Sequence, residues 1–234
     1  KDFDDAVSVE KTENGNFLVG IHIADVSHYV KQNSALDKEA EKRGNSVYLV
    51  GKVIPMLPEK LSNNICSLVP NEDRLTYSVL VELTSRGKII SYKIAKTIIN
   101  SKRRFTYEEA QEIIEKGKGD FVGDVLLLNK LAVTLRKKRM REGSINFTST
   151  EVRFELDENN QPVKIVLKEM KESNMLVEEF MLLANQVVAK HIFAVPENEV
   201  KPFVYRIHDL PDREKLIEFA RFVKSLGYSF DVSA

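Results

Sequence analysis

Residues 173–193 are the part of the sequence that most restricts the fold. Their apolar side chains recur every three or four positions in two adjacent stripes, which is the spacing of one broad face of an α-helix. The first stripe is Leu176, Phe180, Leu183 and Val187, and the second is Val177, Met181, Ala184 and Val188. Because so wide an apolar face needs cover on more than one side, the sequence predicts a buried central helix here.

Three predicted β-hairpins supply elements that can cover this helix. Apolar residues alternate on both sides of a turn, which is the pattern of paired strands. The hairpins are expected over residues 6–23, 75–99 and 152–167, and single strands over residues 46–50 and 203–207. Further helices are expected over residues 34–43, 59–68, 106–115, 120–141 and 212–226. Two prolines predict an ordered loop over residues 53–58, because proline lacks an N–H and fixes φ.

These elements form one continuous pattern without a linker or an internal repeat. We therefore expect one domain over residues 1–234, of the α/β (α+β) class, in which a mixed, largely antiparallel β-sheet is flanked by helices. The 35 basic and 35 acidic residues cancel, although a neutral total can still hide a basic groove beside an acidic site.

The single cysteine bears on the compartment of the protein. Cys66 cannot form an internal disulfide, which is typical of a reducing cytoplasm. Its apolar surroundings predict a buried, inert thiol rather than a nucleophile. No apolar run reaches the length of a membrane span, so we expect a cytoplasmic protein without a membrane partner.

The candidate catalytic centre is the acidic start of the chain. Asp2, Asp4 and Asp5 lie directly before a predicted strand. Carboxylates this close raise one another's pKa unless a cation lies among them, and Mg²⁺ is a cation that prefers oxygen ligands. Taken alone, the stretch fits a solvated acidic surface equally well. The spacing of an EF-hand calcium loop is not met.

No other arrangement of nucleophiles or metal ligands stands out in the sequence. The 4 histidines are scattered, without the spacing of a zinc site, and no serine lies in a nucleophile elbow. Basic clusters at residues 102–104 and 136–141 have aromatic neighbours. This combination is what a protein needs to hold single-stranded nucleic acid, although a charge run alone is more often a solvated face.

Several motifs occur together in a characteristic order. They are Asp2-Phe3-Asp4-Asp5-Ala6, His22-Ile23-Ala24-Asp25-Val26-Ser27, Ile54-Pro55-Met56-Leu57-Pro58-Glu59-Lys60-Leu61-Ser62 with Cys66-Ser67-Leu68, and Leu176-Val177-Glu178-Glu179-Phe180-Met181. In this order they resemble the catalytic (RNB) domain of the ribonuclease II and ribonuclease R superfamily. The resemblance covers essentially the whole chain, including residues 205–212, and general similarity favours the bacterial ribonuclease R branch.

The resemblance implies a function and a catalytic centre. It implies a processive 3′–5′ exoribonuclease that hydrolyses single-stranded RNA to nucleoside 5′-monophosphates and uses Mg²⁺ as its cofactor. Asp2, Asp4 and Asp5 match the last three of the family's four catalytic, metal-binding aspartates. The first aspartate precedes Asp2 and lies outside the sequence.

The resemblance also implies four RNA-binding residues. Tyr48 matches a tyrosine that stacks near the 3′-terminal bases, and Phe147 matches an aromatic residue that clamps the RNA farther upstream. Tyr107 matches a tyrosine of the same channel. Glu178 matches a carboxylate that contacts riboses, and a bond from a 2′-hydroxyl is one way to prefer RNA.

Three family features are absent from the 234 residues: the first aspartate, a later phosphate-binding arginine motif and the small flanking RNA-binding β-barrels. We therefore expect a catalytic domain truncated at both ends, monomeric, and weak or inactive as a nuclease on its own. A non-catalytic RNA-binding module and a haloacid-dehalogenase-like phosphatase stay open as alternatives. The three retained aspartates argue against the non-catalytic module. The phosphatase alternative does not explain the Pro-Met-Leu-Pro loop.

Overall fold

The computed structural model describes residues 3–145, 151–159, 161–196, 199, 202–205, 207 and 209–232. These residues fall into two units, residues 1–191 and residues 192–234. The first unit contains the sheets, and the second contains the last helix of the chain.

The centre of the first unit is a four-stranded antiparallel sheet. Its strands are β1 (Asp5–Lys11), β2 (Phe17–Ala24), β5 (Asp73–Leu83) and β6 (Ile89–Asn100), in the order β1-β2-β5-β6. Two separate antiparallel hairpins join β3 (Val47–Leu49) to β4 (Lys52–Ile54) and β7 (Glu151–Leu156) to β8 (Pro162–Lys168). The predicted hairpins of the sheet are therefore confirmed, and the two halves of the sheet meet where β2 pairs with β5.

The described part of the chain also contains six α-helices. They are α1 (Val26–Tyr29), α2 (Ala35–Arg43), α3 (Tyr107–Lys116), α4 (Val122–Arg141), α5 (Glu172–Phe193) and α6 (Arg213–Ser225). Side-chain caps begin α2 and α3: Ser34 accepts a hydrogen bond from the Asp37 N–H, and Thr106 forms a capping box with Glu109. Such caps satisfy N–H groups that have no partner within the helix. The mixed α+β class predicted from the sequence is confirmed.

The main core lies between one face of the sheet and the long helices. Val19, Ile21, Val81 and Leu83 are fully buried on the sheet, and they belong to the same cluster as Phe180 of α5. The first predicted stripe of α5 is buried throughout, and the α4 residues Leu131 and Ala132 complete the core. The predicted central helix is confirmed, and burial of each large apolar side chain contributes about 1.5–3 kcal/mol.

The opposite face of the sheet is partly polar. His22 lies between the hydroxyl groups of Ser8 and Ser78, at 2.9 and 2.7 Å, and Ser78 bonds in turn to Thr97. Beside this chain of hydroxyls, Ala24 packs with Cys66 and Leu68 in a small second core. Burial of the Cys66 thiol agrees with its sequence-based interpretation.

Three local predictions differ from the structure. Val53 and Ile54 were expected in a loop, but they pair with β3 as part of β4, since the prolines begin only at Pro55. The helix expected over residues 59–68 has its defined stretch at residues 61–65 as a π-helix, with the Cys66 N–H bonded to the Leu61 carbonyl at 2.9 Å. The strand expected over residues 203–207 is wrong for the four of its residues that are described, which are irregular.

The second unit is built around α6. Asp212 caps its start by accepting hydrogen bonds from the N–H groups of Glu214 and Lys215, and the chain turns after the helix at Gly227, whose φ is 87°. The rings of Phe219 and Phe230 meet edge to face at 5.2 Å, which packs the tail that follows onto the helix. The predicted helix over residues 212–226 is confirmed.

Candidate active site

The acidic start of the chain is held by the end of β2. Asp5 is the first residue of β1 and lies opposite Ile23. The Ala24 N–H donates a hydrogen bond of 2.9 Å to the Asp4 carbonyl oxygen. The backbone of these two aspartates is thus part of the sheet, while both residues are exposed to solvent. Asp2, the third predicted ligand, lies outside the described residues.

Phe3, directly before these aspartates, is held on three sides. Its N–H donates to the Ser67 hydroxyl at 3.2 Å, and its carbonyl accepts from the Leu68 N–H at 2.9 Å. Ser67 is completely buried, and the Arg104 guanidinium lies 4.3 Å from the centre of the Phe3 ring. The segment around Ser67 therefore fixes the backbone from which the acidic side chains project.

The electrostatics of the acidic start favour a cation. Although part of Asp5 is exposed, the protein atoms around its carboxyl group desolvate it. This desolvation and the neighbouring Asp4 charge raise the pKa of Asp5, and a hydrogen bond from its own backbone partly offsets them. Two carboxylates that disfavour each other's charge are the donor set that a divalent cation relieves. Within the described residues, no group of three or more acidic, histidine or cysteine side chains is arranged to hold a metal. The structure brings together Asp4 and Asp5 of the predicted ligands.

A further carboxylate, Asp25, lies at the end of β2 but is already occupied. It is buried, accepts a bond from the Ser27 hydroxyl at 2.6 Å and pairs with the Lys96 ammonium at 3.0 Å. The Ser27 hydrogen bond is the main cause that lowers the pKa of Asp25, and Lys96 adds to it. Asp25 therefore ties the end of β2 to β6 rather than offering a free ligand.

The three aromatic residues predicted to contact RNA are in different situations. Tyr48 lies on the β3–β4 hairpin with 73% of its surface exposed, as the sequence suggested for a stacking ring. Tyr107 is the first residue of α3 and is also exposed. Among the residues described, neither ring contacts Asp4 or Asp5. Phe147 lies outside the described residues.

Glu178 lies at the contact between α4 and α5. Its side chain is 41% exposed and lies 3.6 Å from the Arg139 guanidinium. The same guanidinium makes two hydrogen bonds to the buried Glu179, and Arg136 lies 3.9 Å from that carboxylate. The hydrogen bond to Glu179 is the main cause that raises the pKa of Arg139. Part of the basic cluster over residues 136–141 therefore links two helices.

The residues of the other basic cluster, 102–104, also have different partners. Arg103 pairs with Glu109 at 3.2 Å and Asp120 at 3.1 Å, and Lys102 bonds to the Asn100 side chain. Arg104 instead reaches back to Phe3. Sequence reasoning selected this cluster as a whole, but it gave no sign of which arginine would lie at the acidic start.

The chain was compared with known families and curated proteins. The RNB domain family matches residues 1–233. Ribonuclease R of Thermotoga maritima is 47% identical over 233 residues, a match that covers 97% of this chain and 32% of that protein. The chain therefore spans about a third of the length of this relative, and the share is similar for ribonuclease R of Chlamydia pneumoniae.

Solved structures give the same result for the fold. Ribonuclease R of Mycoplasma genitalium, solved with ribose-methylated single-stranded RNA, superposes with a TM-score of 0.89 at 30% identity, covering 100% of this chain and 37% of that one. Yeast Ssd1, described as a pseudonuclease, superposes with a TM-score of 0.77 at 21% identity and covers 97% of this chain and 28% of that one, which speaks for the fold alone. In the described part of the chain, no helix combines the length and apolarity that crossing a membrane requires.

Proposed function

The chain belongs to the RNB domain family, and from this membership we propose that it is the catalytic part of a 3′–5′ exoribonuclease. The substrate is single-stranded RNA, which is degraded processively to nucleoside 5′-monophosphates. The observation that carries the proposal is the backbone of the acidic start: Asp4 and Asp5 lie on a segment hydrogen-bonded to β2, directly after Phe3, whose N–H and carbonyl are both hydrogen-bonded.

The acidic residues fit a hard divalent cation. Asp4 and Asp5 supply oxygen ligands whose mutual repulsion a cation offsets, and Asp2 is the proposed third ligand. When bound, Mg²⁺ would lower the pKa of an attacking water and neutralise charge that develops on the phosphate. The protein's own part is to position the backbone that carries the carboxylates. The Phe3 N–H donates to the Ser67 hydroxyl, and the N–H groups of Leu68 and Ala24 donate to the carbonyls of Phe3 and Asp4.

We propose that the RNA strand reaches the acidic start along aromatic side chains. Ribonuclease R of Mycoplasma genitalium has been solved with single-stranded and with double-stranded RNA, which supports RNA as the ligand here. Tyr48, Tyr107 and Phe147 are the proposed stacking residues, because bases of any sequence stack on aromatic rings. Glu178 is the proposed acceptor for a ribose 2′-hydroxyl. The protein is proposed to act as a cytoplasmic monomer.

The test uses the full-length protein and RNA labelled at its 5′ end. With Mg²⁺ present, the wild type should shorten the RNA from the 3′ end and release nucleoside 5′-monophosphates. Asp4→Asn should lower the rate by at least about a hundredfold, since removing an electrostatic contribution of this kind from a catalytic centre has such effects. Asp124→Asn, which changes an exposed aspartate of α4, should cut at the wild-type rate, and EDTA should stop the wild type.

Other results would select a different function. RNA that is bound but left intact by the wild type would identify a non-catalytic RNA-binding module, the category suggested by the description of Ssd1. Hydrolysis of a phosphate monoester without RNA cleavage would favour the phosphatase. Equal cleavage by Asp4→Asn would exclude the acidic start as the catalytic centre.

A further inference from the structure

Two adjacent arginines have similar surroundings but different partners. The guanidinium of Arg103 lies 5.0 Å from the centre of the Phe105 ring, and that of Arg104 lies 4.3 Å from the centre of the Phe3 ring. Arg103 also pairs with Glu109 and Asp120. Among the described residues, the Arg104 side chain has no hydrogen bond or ion pair, and its Nε is buried without an acceptor.

The Arg104 side chain has a buried hydrogen-bond donor that lacks an acceptor. A buried donor without an acceptor costs free energy, and the cost is larger when the group is charged. The contact with the Phe3 ring attracts the cation and orients its plane, but it accepts no N–H hydrogen bond. Of the three guanidinium nitrogens, Nε is the one that is buried without an acceptor, so an incoming phosphate would bind the two Nη groups, which can meet two oxygens of an oxyanion at once.

The position of Arg104 indicates which phosphate of the RNA it would bind. Phe3 is fixed by Ser67 and Leu68 and directly precedes Asp4, so the cation is held beside the acidic start. It lies there without a salt bridge to Asp4 or Asp5, the two acids of this stretch that the structure describes. Carboxylates repel a phosphate, and a cation held on the ring of the neighbouring Phe3 would offset that repulsion for an incoming strand.

We propose that Arg104 is a substrate-binding residue that holds a phosphate of the RNA at one of its three 3′-terminal linkages. The proposal rests on the proposed function, since it takes the RNA to end at the acidic start. It goes further in assigning to one arginine of the cluster at residues 102–104 a contact that its neighbour Arg103 does not make.

The test is a binding experiment in EDTA, in which no cleavage is required. The full-length protein is titrated with RNA that carries a single neutral methylphosphonate at the first, second or third linkage from the 3′ end, and with unmodified RNA. Wild type should lose about 10- to 100-fold in affinity at one of these linkages, the range for a hydrogen bond to a charged group. Arg104→Met should bind unmodified RNA more weakly by a similar factor. A methylphosphonate at that linkage should then reduce its affinity only slightly further.

Two further variants control the experiment. Arg103→Met removes the neighbouring stacked cation, and it should show the same loss at the same linkage as wild type. Arg104→Lys keeps the charge but loses the planar fork, so it should show a loss at that linkage between those of wild type and Arg104→Met. Because it also keeps a cation over the Phe3 ring, it serves if Arg104→Met fails to fold.

The outcomes separate this inference from the proposed function. If Arg104→Met and Arg104→Lys lose as much affinity as wild type at every linkage, Arg104 does not touch these phosphates and the inference is overturned. Cleavage of unmodified RNA with Mg²⁺ by wild type and Arg103→Met is the separate measure of the nuclease. If the protein cleaves RNA but substitution of Arg104 leaves the effect of every methylphosphonate unchanged, the inference is wrong and the proposed function stands.

Discussion

His22 is a buried residue of β2, and its surroundings in the sheet determine whether its ring carries a charge. Both of its ring nitrogens lie at hydrogen-bonding distance from serine hydroxyls, Ser8 on β1 and Ser78 on β5. Burial lowers the pKa of His22, because no carboxylate among its hydrogen-bonding partners stabilises the imidazolium. The folded protein therefore keeps this ring neutral at pH values where the unfolded chain already binds a proton.

This difference makes the stability depend on pH in a defined direction. Since the folded pKa is below the unfolded value of about 6.5, the contribution of His22 is complete above that pH. It is lost as the pH falls from there through the lowered folded pKa. Urea unfolding at a series of pH values between neutrality and pH 5 should show a falling free energy, and His22→Gln should flatten this slope.

Asp25 provides an internal comparison for the same titration. The pKa of Asp25 is also lowered, so its contribution is complete above the unfolded value of about 3.9 and is lost only at more acidic pH. An unchanged slope above pH 5 in His22→Gln would contradict the assignment of that slope to His22.

Gly20 is required by the position of His22. A Cβ atom at residue 20 would lie 2.5 Å from the His22 Nε2 and from the Ser8 hydroxyl oxygen. The His22 ring cannot move without disturbing its buried hydrogen bond to Ser78, so we expect Gly20→Ala to destabilise the protein by about 1–3 kcal/mol. Gly123→Ala is the control, because a Cβ on this helical glycine meets nothing within 4 Å and should stabilise α4 by up to about 1 kcal/mol. Chemical denaturation measures both.

At the scale of elements, one buried carboxylate joins α4 to α5. Glu179 is 3% exposed and receives two hydrogen bonds from Arg139. The neighbouring Glu178 is largely at the surface and contacts the same arginine less closely. Consecutive glutamates on one helix thus have separate tasks, since Glu179 joins the helices and Glu178 stays accessible.

Substitution of the two glutamates should separate these tasks. Glu179→Gln removes the closer and more buried of the two charge partners of Arg139, and we expect a loss of about 3 kcal/mol in unfolding free energy. Glu178→Gln should cost less than about 1 kcal/mol, as is usual for exposed pairs. Thermal and urea unfolding of both variants provide the measurement, and equal losses would contradict the division between them.

At the scale of the whole molecule, local sequence signals predicted most of the elements. The helix expected over residues 106–115, the hairpin expected over residues 6–23 and the apolar stripes of α5 are set by neighbours within a few residues, and each is present in the structure. The resemblance over ordered motifs predicted the family, and Asp4 and Asp5 lie where a strand begins, as expected.

The features that sequence reasoning missed depend on distant partners. Arg103 and Arg104 are adjacent and chemically identical, and only the fold brings Phe3 to one and Asp120 to the other. Residues 203–207 are rich in aromatic and β-branched side chains, as strands are, but among the described residues no strand pairs with them. A strand is stabilised by its neighbour in the sheet, so composition alone could not decide the structure of this segment.

The activity of the 234 residues by themselves is a prediction about the whole molecule. The chain spans about a third of the ribonuclease R proteins it matches, and we expect it to degrade single-stranded RNA at least about a hundredfold more slowly than the full-length protein, because positioning of the substrate contributes factors of this size. Initial rates of mononucleotide release, with circular dichroism to establish folding, provide the comparison. Equal rates would show that this chain contains everything that catalysis needs.

The hydrogen bond from the Ala24 N–H to the Asp4 carbonyl makes a spectroscopic reporter of the acidic start. Amide protons exchange with deuterated solvent only when their hydrogen bonds open, so the exchange rate of Ala24 measures how often the Asp4 backbone detaches from β2. A divalent cation held by Asp4 and Asp5 would tie down the same backbone and slow that exchange. Ligand occupancy could thus be followed at one alanine amide, in the absence of any substrate or turnover.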